Sequence, residues 1–316
     1  MPQPSGLGCS ALIRIANSYR VFDFGASDGQ SGQVPLPQVL SVVIVSFNAR
    51  EHLRRCLDSI YAHVTCDFEV CVIDNASRDG SADMVAYGYP KVRLLRNRRN
   101  EGYSAAANFA ADAAAGDVIL FLNPDSELAE DALSDAATYL RENQDVGALG
   151  LRLLDPGGTA QPSVRRFPGL TTALFNRHSP PPRLSDGEDA DVTDVDWISG
   201  ACLMTTHAVL DNVGQFDEGF FYGFEDADFC QRLRRAGLRA VYYPMTSVTH
   251  TIGVSARSTP TRAVVAHHRG MWRYYRRYLA SNPLIDAIVC FSIGLRCAVQ
   301  VAAILPRRLT PRRGRP

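Results

Sequence analysis

Several common protein classes are excluded by what the 316-residue sequence lacks. Its eight cysteines form no CxxC pair and no zinc-like group with histidine, so we expect reduced thiols and no structural zinc site. Lysine occurs once, at Lys91, and the 33 basic residues are balanced by 33 acidic ones. A net charge of zero argues against the broad basic surface of a nucleic-acid binder, and we expect no nucleic-acid partner.

The two chain ends lack the patterns of a signal peptide and of an uninterrupted membrane span. Residues 1–38 have no basic start followed by an apolar run, and we expect a disordered leader there. Residues 283–316 are expected to form an apolar or amphipathic helix and a basic tail. The apolar stretch from 284 to 305 is long enough to cross a bilayer, but Asp286, Arg296 and Gln300 interrupt it.

This pattern favours a helix that lies on the inner face of the plasma membrane, in a cytoplasmic, peripheral protein. The last ten residues carry five arginines, which favour an anionic lipid surface. The alternative is a helix packed on the rest of the protein, followed by a solvated tail.

Strand and helix signals alternate from residue 39 onward. The β-branched run Leu40–Ser46 has the composition of a buried parallel strand. Further strand signals lie at residues 68–73, 92–95 and 117–122, and helical ones at residues 49–63, 81–87, 103–115 and 130–141. This order predicts an α/β domain over residues 39–282, with a mostly parallel central sheet and helices on both of its faces.

The second half of that range is less regular. A Pro- and Asp-rich segment at residues 179–196 is typical of an exposed loop. Strand-like segments follow at residues 197–204 and 240–248, and a helix is predicted from 226 to 236, because Gly237 is the residue type expected just past a helix end.

Polar residues that directly follow strands are the first candidates for a site, because ligands of open parallel sheets bind beyond the carboxyl ends of the strands. Asp74 ends the second strand, and its carboxylate can accept a hydrogen bond from the imide N–H of uracil or thymine. The alternative is that Asp74 and Ser77 only shape a turn.

Asn123-Pro-Asp125 follows the clearest apolar strand and offers a hard oxygen ligand for a divalent cation that could bridge to a diphosphate. It is also an ordinary turn sequence. The presence of Asp125 makes His250 a candidate metal ligand, because a carboxylate together with an imidazole suits Mn²⁺ and is tolerable for Mg²⁺. Arg257 could contact phosphate oxygens, although a solvated arginine is the simpler interpretation.

The segment Phe220-Phe-Tyr-Gly-Phe-Glu-Asp-Ala-Asp228 places aromatic residues before three acids at a predicted helix start. The acids complement the helix dipole and its free N–H groups. One of them could also take a proton from an acceptor hydroxyl, with the aromatic residues as a sugar platform. Capping needs only one acid, so both interpretations hold together.

Six strings, in this order, resemble the inverting family 2 glycosyltransferases of GT-A fold, and within them the rhamnosyltransferase-like group. They are Ser-Val-Val-Ile-Val-Ser-Phe-Asn48, Val-Ile-Asp-Asn-Ala-Ser77, Asn-Glu-Gly-Tyr-Ser-Ala-Ala-Ala-Asn108, Leu-Asn-Pro-Asp125, Trp-Ile-Ser-Gly-Ala201 and Gly-Phe-Glu-Asp-Ala-Asp228. The resemblance covers roughly residues 39–279. Jointly the strings are specific for the family and only weakly specific for the sugar.

The resemblance implies a role for each matching residue. The implied nucleotide-sugar-binding residues are Ser46, Asn48, Asp74, Asn100, Gly102, Asn123 and Arg257. The implied metal ligands for Mg²⁺ or Mn²⁺ are Asp125 and His250. The implied acceptor-binding residues are Trp197, Gly200 and Tyr222. Asp226 matches the family's catalytic base, with Glu225 beside it. Asn123 departs from the first acid of the family's DxD motif, which leaves Asp125 as the one carboxylate of that motif.

The implied reaction is an inverting transfer of a sugar from a dTDP- or UDP-linked donor to a glycan or lipid-linked hydroxyl. L-rhamnose from dTDP-rhamnose and a polyprenyl-diphosphate-linked or cell-envelope acceptor are the first expectation, and another UDP- or dTDP-sugar is the alternative. A nucleotidyltransferase would need a glycine-rich, basic loop where the chain has Ser-Phe-Asn-Ala-Arg50, and an oxidoreductase would need GxGxxG there. A non-catalytic sugar- or lipid-binding module is disfavoured by the complete acidic set.

Overall fold

The computed structural model describes residues 38–175, 191–251, 253 and 259–309. The predicted leader up to residue 37, much of the predicted loop, Arg257 and residues 310–316 lie outside the described residues. The seven cysteines within them are free thiols, as expected.

The first half of the described chain alternates strands and helices in the predicted order. Its elements are β1 (Leu40–Ser46), α1 (Arg50–His63), β2 (Phe68–Asp74), α2 (Ser81–Gly88), β3 (Arg93–Arg96), α3 (Tyr103–Ala113), β4 (Val118–Leu122), β5 (Ser126–Glu127) and α4 (Ser134–Glu142).

The second half adds short strands and the C-terminal helices. Its elements are β6 (Val146–Leu154), β7 (Ala160–Gln161), β8 (Val164–Arg165), α5 (Leu170–Phe175), β9 (Thr193–Val195), β10 (Trp197–Ile198), β11 (Cys202–Thr206), α6 (His207–Val213), α7 (Glu225–Arg235), β12 (Arg239–His250), α8 (Pro260–Tyr278) and α9 (Pro283–Leu309).

The central sheet has the order β3-β2-β1-β4-β11-β6-β12-β5. The first four strands are parallel, as are β6 and β12, which confirms the predicted mostly parallel sheet. β11 lies antiparallel between β4 and β6 and joins the two parallel groups. The sheet is therefore mixed, with the carboxyl ends of β1, β2 and β4 at one edge.

Both faces of the sheet are buried because successive side chains of a strand point to opposite sides. Val42 and Ile44 pack in one cluster with Leu57 of α1, and Val43 packs in a second cluster with Ala107 of α3. The helices α1, α2 and α4 contribute to the first cluster, and α3, α6 and α7 to the second. This explains why β1 has a continuous apolar run.

A third cluster joins α8 and α9 to the site-bearing loop before α7. It contains Phe220 and Phe224 of that loop, Tyr274 of α8, Val289 of α9 and Ala173 of α5. Gly270 of α8 permits this packing, since a Cβ there would meet the carbonyl oxygen of Gly223 at 2.5 Å. α8 therefore supports the segment that carries the acidic residues.

Three local expectations differ from the structure. Within the predicted loop at 179–196, residues 193–195 form β9, which pairs antiparallel with Ala240–Tyr242 of β12. β12 extends to His250, two residues past the predicted end, because it also pairs with β5. The predicted strand-like segment at 197–204 divides into β10 and β11, which belong to different sheets.

Candidate active site

The carboxyl ends of three parallel strands bring the first candidate residues together. Ser46 of β1 is in register with Asp74 of β2, and Ile44 is in register with Leu122 of β4, which directly precedes Asn123. The loops that follow β1, β2 and β3 line a cleft with a volume of about 1030 Å³. That volume is at the upper end of the roughly 300–1,000 Å³ typical of small-molecule sites.

Asp74 presents a buried acceptor in this cleft. Its side chain is 4% exposed, Oδ2 accepts a hydrogen bond from the backbone N–H of Ser77 at 3.0 Å, and Oδ1 has no hydrogen-bond partner among the described residues. A buried acceptor without a partner is costly, so it is expected to serve a ligand. Asp74 therefore shapes the turn and also offers an oxygen to a donor.

Asn48 connects the loops after β1 and β2. Its Oδ1 accepts from the backbone N–H of Arg78 at 2.8 Å, and its own N–H donates to Oγ of Ser77 at 3.0 Å. Asn48 lines the cleft, with a left-handed backbone at φ 50°. Ser46 is fully buried and does not line it, although its Oγ also lacks a described partner.

Asn75 holds the loop at residues 97–102, and the sequence argument did not single it out. Its Nδ2 donates to Oδ1 of Asn100 and to the carbonyl of Gly102, and its Oδ1 accepts from Nδ2 of Asn97. Gly102 has φ 94°, and a Cβ there would meet the carbonyl oxygen of Phe221 at 2.7 Å. The glycine therefore allows this loop to pack against the segment before α7.

A second pocket adjoins the cleft and extends to Asp125 and Tyr222. Asn100, Gly102, Asn123, Asp125 and Tyr222 are among its lining residues. Four residues line both cavities, and they are Phe47, Asn100, Thr259 and Arg262.

Arg262 lies where the two cavities join, and sequence reasoning missed it. Its guanidinium lies 4.4 Å from the ring centroid of Phe221, and Nη2 donates to the carbonyl of Asn100 at 3.2 Å. It occupies the first turn of α8, whose unpaired backbone N–H groups add positive potential. This junction is therefore suited to an anionic group.

Asp125 and His250 are brought together as predicted, although they lie far apart in the sequence. Nε2 of His250 is 3.4 Å from Oδ1 of Asp125 and 3.3 Å from Nδ2 of Asn123. Nδ1 lies 3.1 Å from Oε1 of Gln161, a partner that fixes the ring with its proton on Nδ1. Nε2 is then the acceptor nitrogen, and it faces the carboxylate.

This donor set fits a divalent cation that takes its remaining ligands elsewhere. Two adjacent ligands on one ion, each about 2.1 Å away, are roughly 3 Å apart, close to the observed separation. Among the described residues no group of three or more His, Cys, Asp and Glu could hold a metal. Asp125 and His250 alone would leave most coordination positions to a diphosphate and water.

Glu225 and Asp226 form a buried acidic pair at the start of α7. They are 6% and 9% exposed. Burial and the charge of Asp226 raise the pKa of Glu225, whose Oε2 has no described hydrogen-bond partner. Burial also raises the pKa of Asp226, while backbone N–H groups of Gly200, at 2.9 Å, and Ala227 oppose that rise. Asp226 is therefore the better stabilised carboxylate of the two.

The predicted acceptor-binding residues surround this pair in different ways. Gly200 contacts Asp226 through its backbone N–H, so it orients the carboxylate. Trp197 stacks on Phe224 with ring centroids 6.4 Å apart. Its indole N–H acts to lower the pKa of Asp226, although Nε1 makes no hydrogen bond of normal geometry to a described residue. Loss of hydration, followed by the charges of Glu225, Asp125 and Asp226, raises the pKa of Tyr222. Tyr222 therefore lies within the electrostatic reach of both acidic sites.

Arg165 is a further residue that the sequence argument did not identify. Its guanidinium lies 5.7 Å from the Trp197 ring centroid. Burial lowers its pKa, and the negative charge of Asp226 acts in the opposite direction. A partly buried cation thus lies beside the acidic pair.

Asp228, the third acid of the motif, has a structural position. It is fully buried, Oδ2 accepts from Nε of Arg232 at 2.9 Å, and Oδ1 accepts from the Tyr278 hydroxyl at 2.7 Å. Arg277 lies 3.0 Å from the same Oδ1. Asp228 therefore connects α7 to α8 and has little capacity left for a ligand.

Comparison with known proteins places the chain among glycosyltransferases. The family model "Glycosyl transferase family 2" matches residues 41–212. An N-acetylglucosaminyl-diphospho-decaprenol L-rhamnosyltransferase of Mycobacterium tuberculosis is 32% identical over 260 residues, which cover 75% of this chain and 84% of the relative. The rhamnosyltransferase WbbL of Escherichia coli K12 is 30% identical over 54% of this chain and 67% of its own length.

Solved structures show the same fold at lower identity. A mannosyltransferase from Pyrobaculum calidifontis, in complex with GDP-Man and Mn²⁺, matches with a TM-score of 0.54 and 17% identity over 87% of this chain and 75% of that one. TarS 1-349 from S. aureus, in complex with UDP, matches with a TM-score of 0.51 and 18% identity over 82% and 72% of the two chains. The GT-A fold expected from the sequence is thereby confirmed.

Proposed function

The chain belongs to glycosyl transferase family 2, and on that premise we propose that it transfers L-rhamnose from dTDP-rhamnose to a hydroxyl of a polyprenyl-diphosphate-linked acceptor. The transfer would invert the anomeric configuration, within a catalytic domain that covers residues 39–282. The observation that carries the proposal is the pair of adjoining cavities, which share four lining residues and extend from Asp74 past Asp125 to Tyr222. The two rhamnosyltransferase relatives support the choice of sugar, and the first of them supports the choice of acceptor.

The cleft at the strand ends is assigned to the nucleoside. The free Oδ1 of Asp74 would accept the imide N–H of thymine or uracil, and Asn48 and Asn100 would border the nucleoside. Arg262 would contact the diphosphate at the junction of the cavities, a role that the sequence argument gave to Arg257. A guanidinium suits phosphate oxygens because it offers several donors in one plane.

Asp125 and His250 are assigned to the cation, Mg²⁺ or Mn²⁺, with Asn123 as a neighbouring amide. A divalent ion bound there supplies positive charge that stabilises the departing diphosphate. Gln161 keeps Nε2 of His250 free to coordinate by holding the proton of the ring on Nδ1.

The transfer step is assigned to Asp226. An Asp226 oxygen takes the proton of the acceptor hydroxyl while the hydroxyl oxygen forms a bond to the anomeric carbon. The bond between that carbon and the diphosphate oxygen breaks, and its electron pair leaves with the nucleoside diphosphate. Gly200 and Ala227 hold the carboxylate in place, and Glu225 stays neutral beside it because its pKa is raised.

Trp197 and Tyr222 are assigned to the sugar of the acceptor. Aromatic side chains present apolar faces to a sugar ring and exclude water around the reacting hydroxyl. Arg165, beside Trp197, would contact the acceptor's diphosphate. Another UDP- or dTDP-linked sugar is the second candidate donor, since thymine and uracil present the same imide to Asp74.

Isothermal titration with nucleoside diphosphates tests the donor site directly. In the presence of Mn²⁺, dTDP and UDP should bind, whereas CDP should bind about 10- to 100-fold more weakly, because cytosine N3 carries no proton for Asp74 and a hydrogen bond to a charged group contributes about 1.5–3 kcal/mol. Asp74→Asn should reduce the difference between UDP and CDP. Equal binding of UDP and CDP by the wild-type protein would contradict the assignment.

A further inference from the structure

Helix α9 exposes an entirely apolar face. Every exposed residue from Pro283 to Ala303 is apolar, and none is charged. Five large side chains among them are 53–76% exposed, and they are Leu284, Ile288, Phe291, Leu295 and Val299. Their spacing of three or four residues places them on one side of the helix, and we call them the α9 stripe.

The opposite face of α9 packs on the protein and carries its polar residues. Val289 and Ile293 are buried in the cluster with α8 and α5. Asp286 accepts from the Tyr275 hydroxyl at 2.6 Å, and Nη2 of Arg296 donates to the carbonyl of Ala173 at 2.7 Å. Both charged side chains that interrupt the apolar sequence are thus hydrogen-bonded within the protein.

These contacts favour a helix that lies on the membrane surface over one that crosses the bilayer. Residues 283–304 are long and apolar enough to span a bilayer. A spanning helix, however, would have to leave α5 and α8, and it would carry Asp286 and Arg296 without their partners. Arg296 would then lie near the centre of the bilayer, where a charged side chain is energetically costly. The α9 stripe alone can enter lipid without breaking these bonds.

Charge and neighbouring surface indicate what covers the stripe. No acid follows Asp286 in the sequence, whereas six arginines do, at positions 296, 307, 308, 312, 313 and 315. Basic residues near an anionic bilayer strengthen binding by electrostatic attraction. Helix α5, which contacts α9, adds Phe175, which is 65% exposed. Apolar area with flanking positive charge matches an anionic lipid surface.

We propose that α9 lies in the plane of an anionic bilayer, with the α9 stripe in the boundary between headgroups and acyl chains. The protein is then attached to one leaflet by one face of one helix. The proposal deepens the proposed function, since a lipid-linked acceptor is presented at that surface, but membrane binding can be measured without sugar transfer.

Co-sedimentation of the full chain with vesicles tests this attachment. The wild-type protein should bind vesicles of phosphatidylglycerol and phosphatidylcholine, and more weakly vesicles of phosphatidylcholine alone. Phe291→Glu/Leu295→Glu should reduce binding at least tenfold. The matched control is Tyr87→Glu/Met245→Glu, which places two acids at exposed apolar positions elsewhere and should bind like wild type. Alkaline carbonate should release the bound wild-type protein, whereas it would not release a protein held by a spanning helix.

A conservative variant keeps the test valid if the double substitution unfolds the helix. Tryptophan fluorescence of Phe291→Trp should be quenched by lipids brominated on their acyl chains. Absence of quenching, retention after carbonate treatment, or binding unaffected by Phe291→Glu/Leu295→Glu would each overturn the proposal. The proposal would also be overturned if the wild-type protein were a dimer that does not bind vesicles and Phe291→Glu/Leu295→Glu converted it to monomers. Loss of transfer with normal vesicle binding would instead count against the proposed function.

Discussion

At the scale of single residues, the acidic pair divides one task between two carboxyl groups. Asp226 is stabilised as a carboxylate by Gly200 and Ala227, while Glu225 has an oxygen without a described partner and a raised pKa. Two buried acids that touch do not both ionise readily, so the group with better hydrogen bonds carries the charge. These contacts support the proposal that Asp226 is the base.

We expect Glu225→Gln to retain activity near neutral pH within a few-fold, because glutamine resembles the protonated acid that it replaces. The acidic limb of kcat/KM should lie above the ordinary aspartate range near pH 4, since Asp226 must be ionised and burial raises its pKa. Activity should therefore rise with pH through that raised pKa. A pH–rate profile of both proteins checks this, and an acidic limb near pH 4 would contradict it.

Gln161 gives a second prediction at this scale. Gln161→Leu removes the acceptor for Nδ1 of His250, so Mn²⁺ binding in the presence of UDP should weaken about 10- to 100-fold. Gln161→Glu keeps an acceptor and is the matched control. Titration of Mn²⁺ by calorimetry measures the effect apart from turnover, and equal affinities for wild type and Gln161→Leu would refute the positioning role.

The sequence could predict some of these residues and not others. Asp74, Asn123 and Asp125 follow strands, and the three strands were recognisable from their apolar runs. Gln161 lies on a two-residue strand that has no periodicity, and Arg165 lies on another. Their proximity to His250 and Asp226 arises only from the tertiary arrangement.

At the scale of elements, α7 carries both the proposed base and the residue that attaches α8. Asp226 and Asp228 are two residues apart, yet Asp226 belongs to the acidic pair and accepts from Gly200, whereas Asp228 bonds to Arg232, Arg277 and Tyr278. One short motif therefore carries two separate functions. The surplus of acids that the sequence shows is explained by this division.

Substitution of these two aspartates should affect stability differently. Asp228→Asn breaks a buried ion pair and should lower the free energy of unfolding by about 3 kcal/mol. Asp226→Asn should leave it unchanged or raise it at pH 7, because a carboxyl group whose pKa is raised on folding destabilises the folded state where it is ionised. Urea denaturation of both variants measures this, and a stability loss in Asp226→Asn as large as in Asp228→Asn would contradict the division.

Elements differ in how well local sequence predicts them. The bounds of α1 and α7 were predicted to within one residue. Apolar spacing marks α1, and a glycine follows α7. The antiparallel placement of β11 and the pairing of β9 with β12 depend on which strand lies beside which. Those choices follow from long-range packing, so the segments themselves could not predict them.

At the scale of the whole molecule, α8 links the cleft at the strand ends, the acidic pair and the α9 stripe. Its first turn brings Arg262 to the cavity junction, its middle packs on the loop before α7, and its last turns contact α9. The family and the fold were predictable from ordered motifs. The central position of α8 was not, since it depends on the close contact of Gly270 with Gly223.

The most direct test of the central claim is mass spectrometry of a polyprenyl-diphosphate-linked acceptor after incubation with dTDP-rhamnose and Mn²⁺. We expect the wild-type protein to add one deoxyhexose. Asp226→Asn should bind dTDP like wild type but turn over about 10²- to 10⁴-fold more slowly, which is the usual contribution of a general base. No product with dTDP-rhamnose or any other UDP- or dTDP-linked sugar, or a rate for Asp226→Asn close to wild type, would contradict the account.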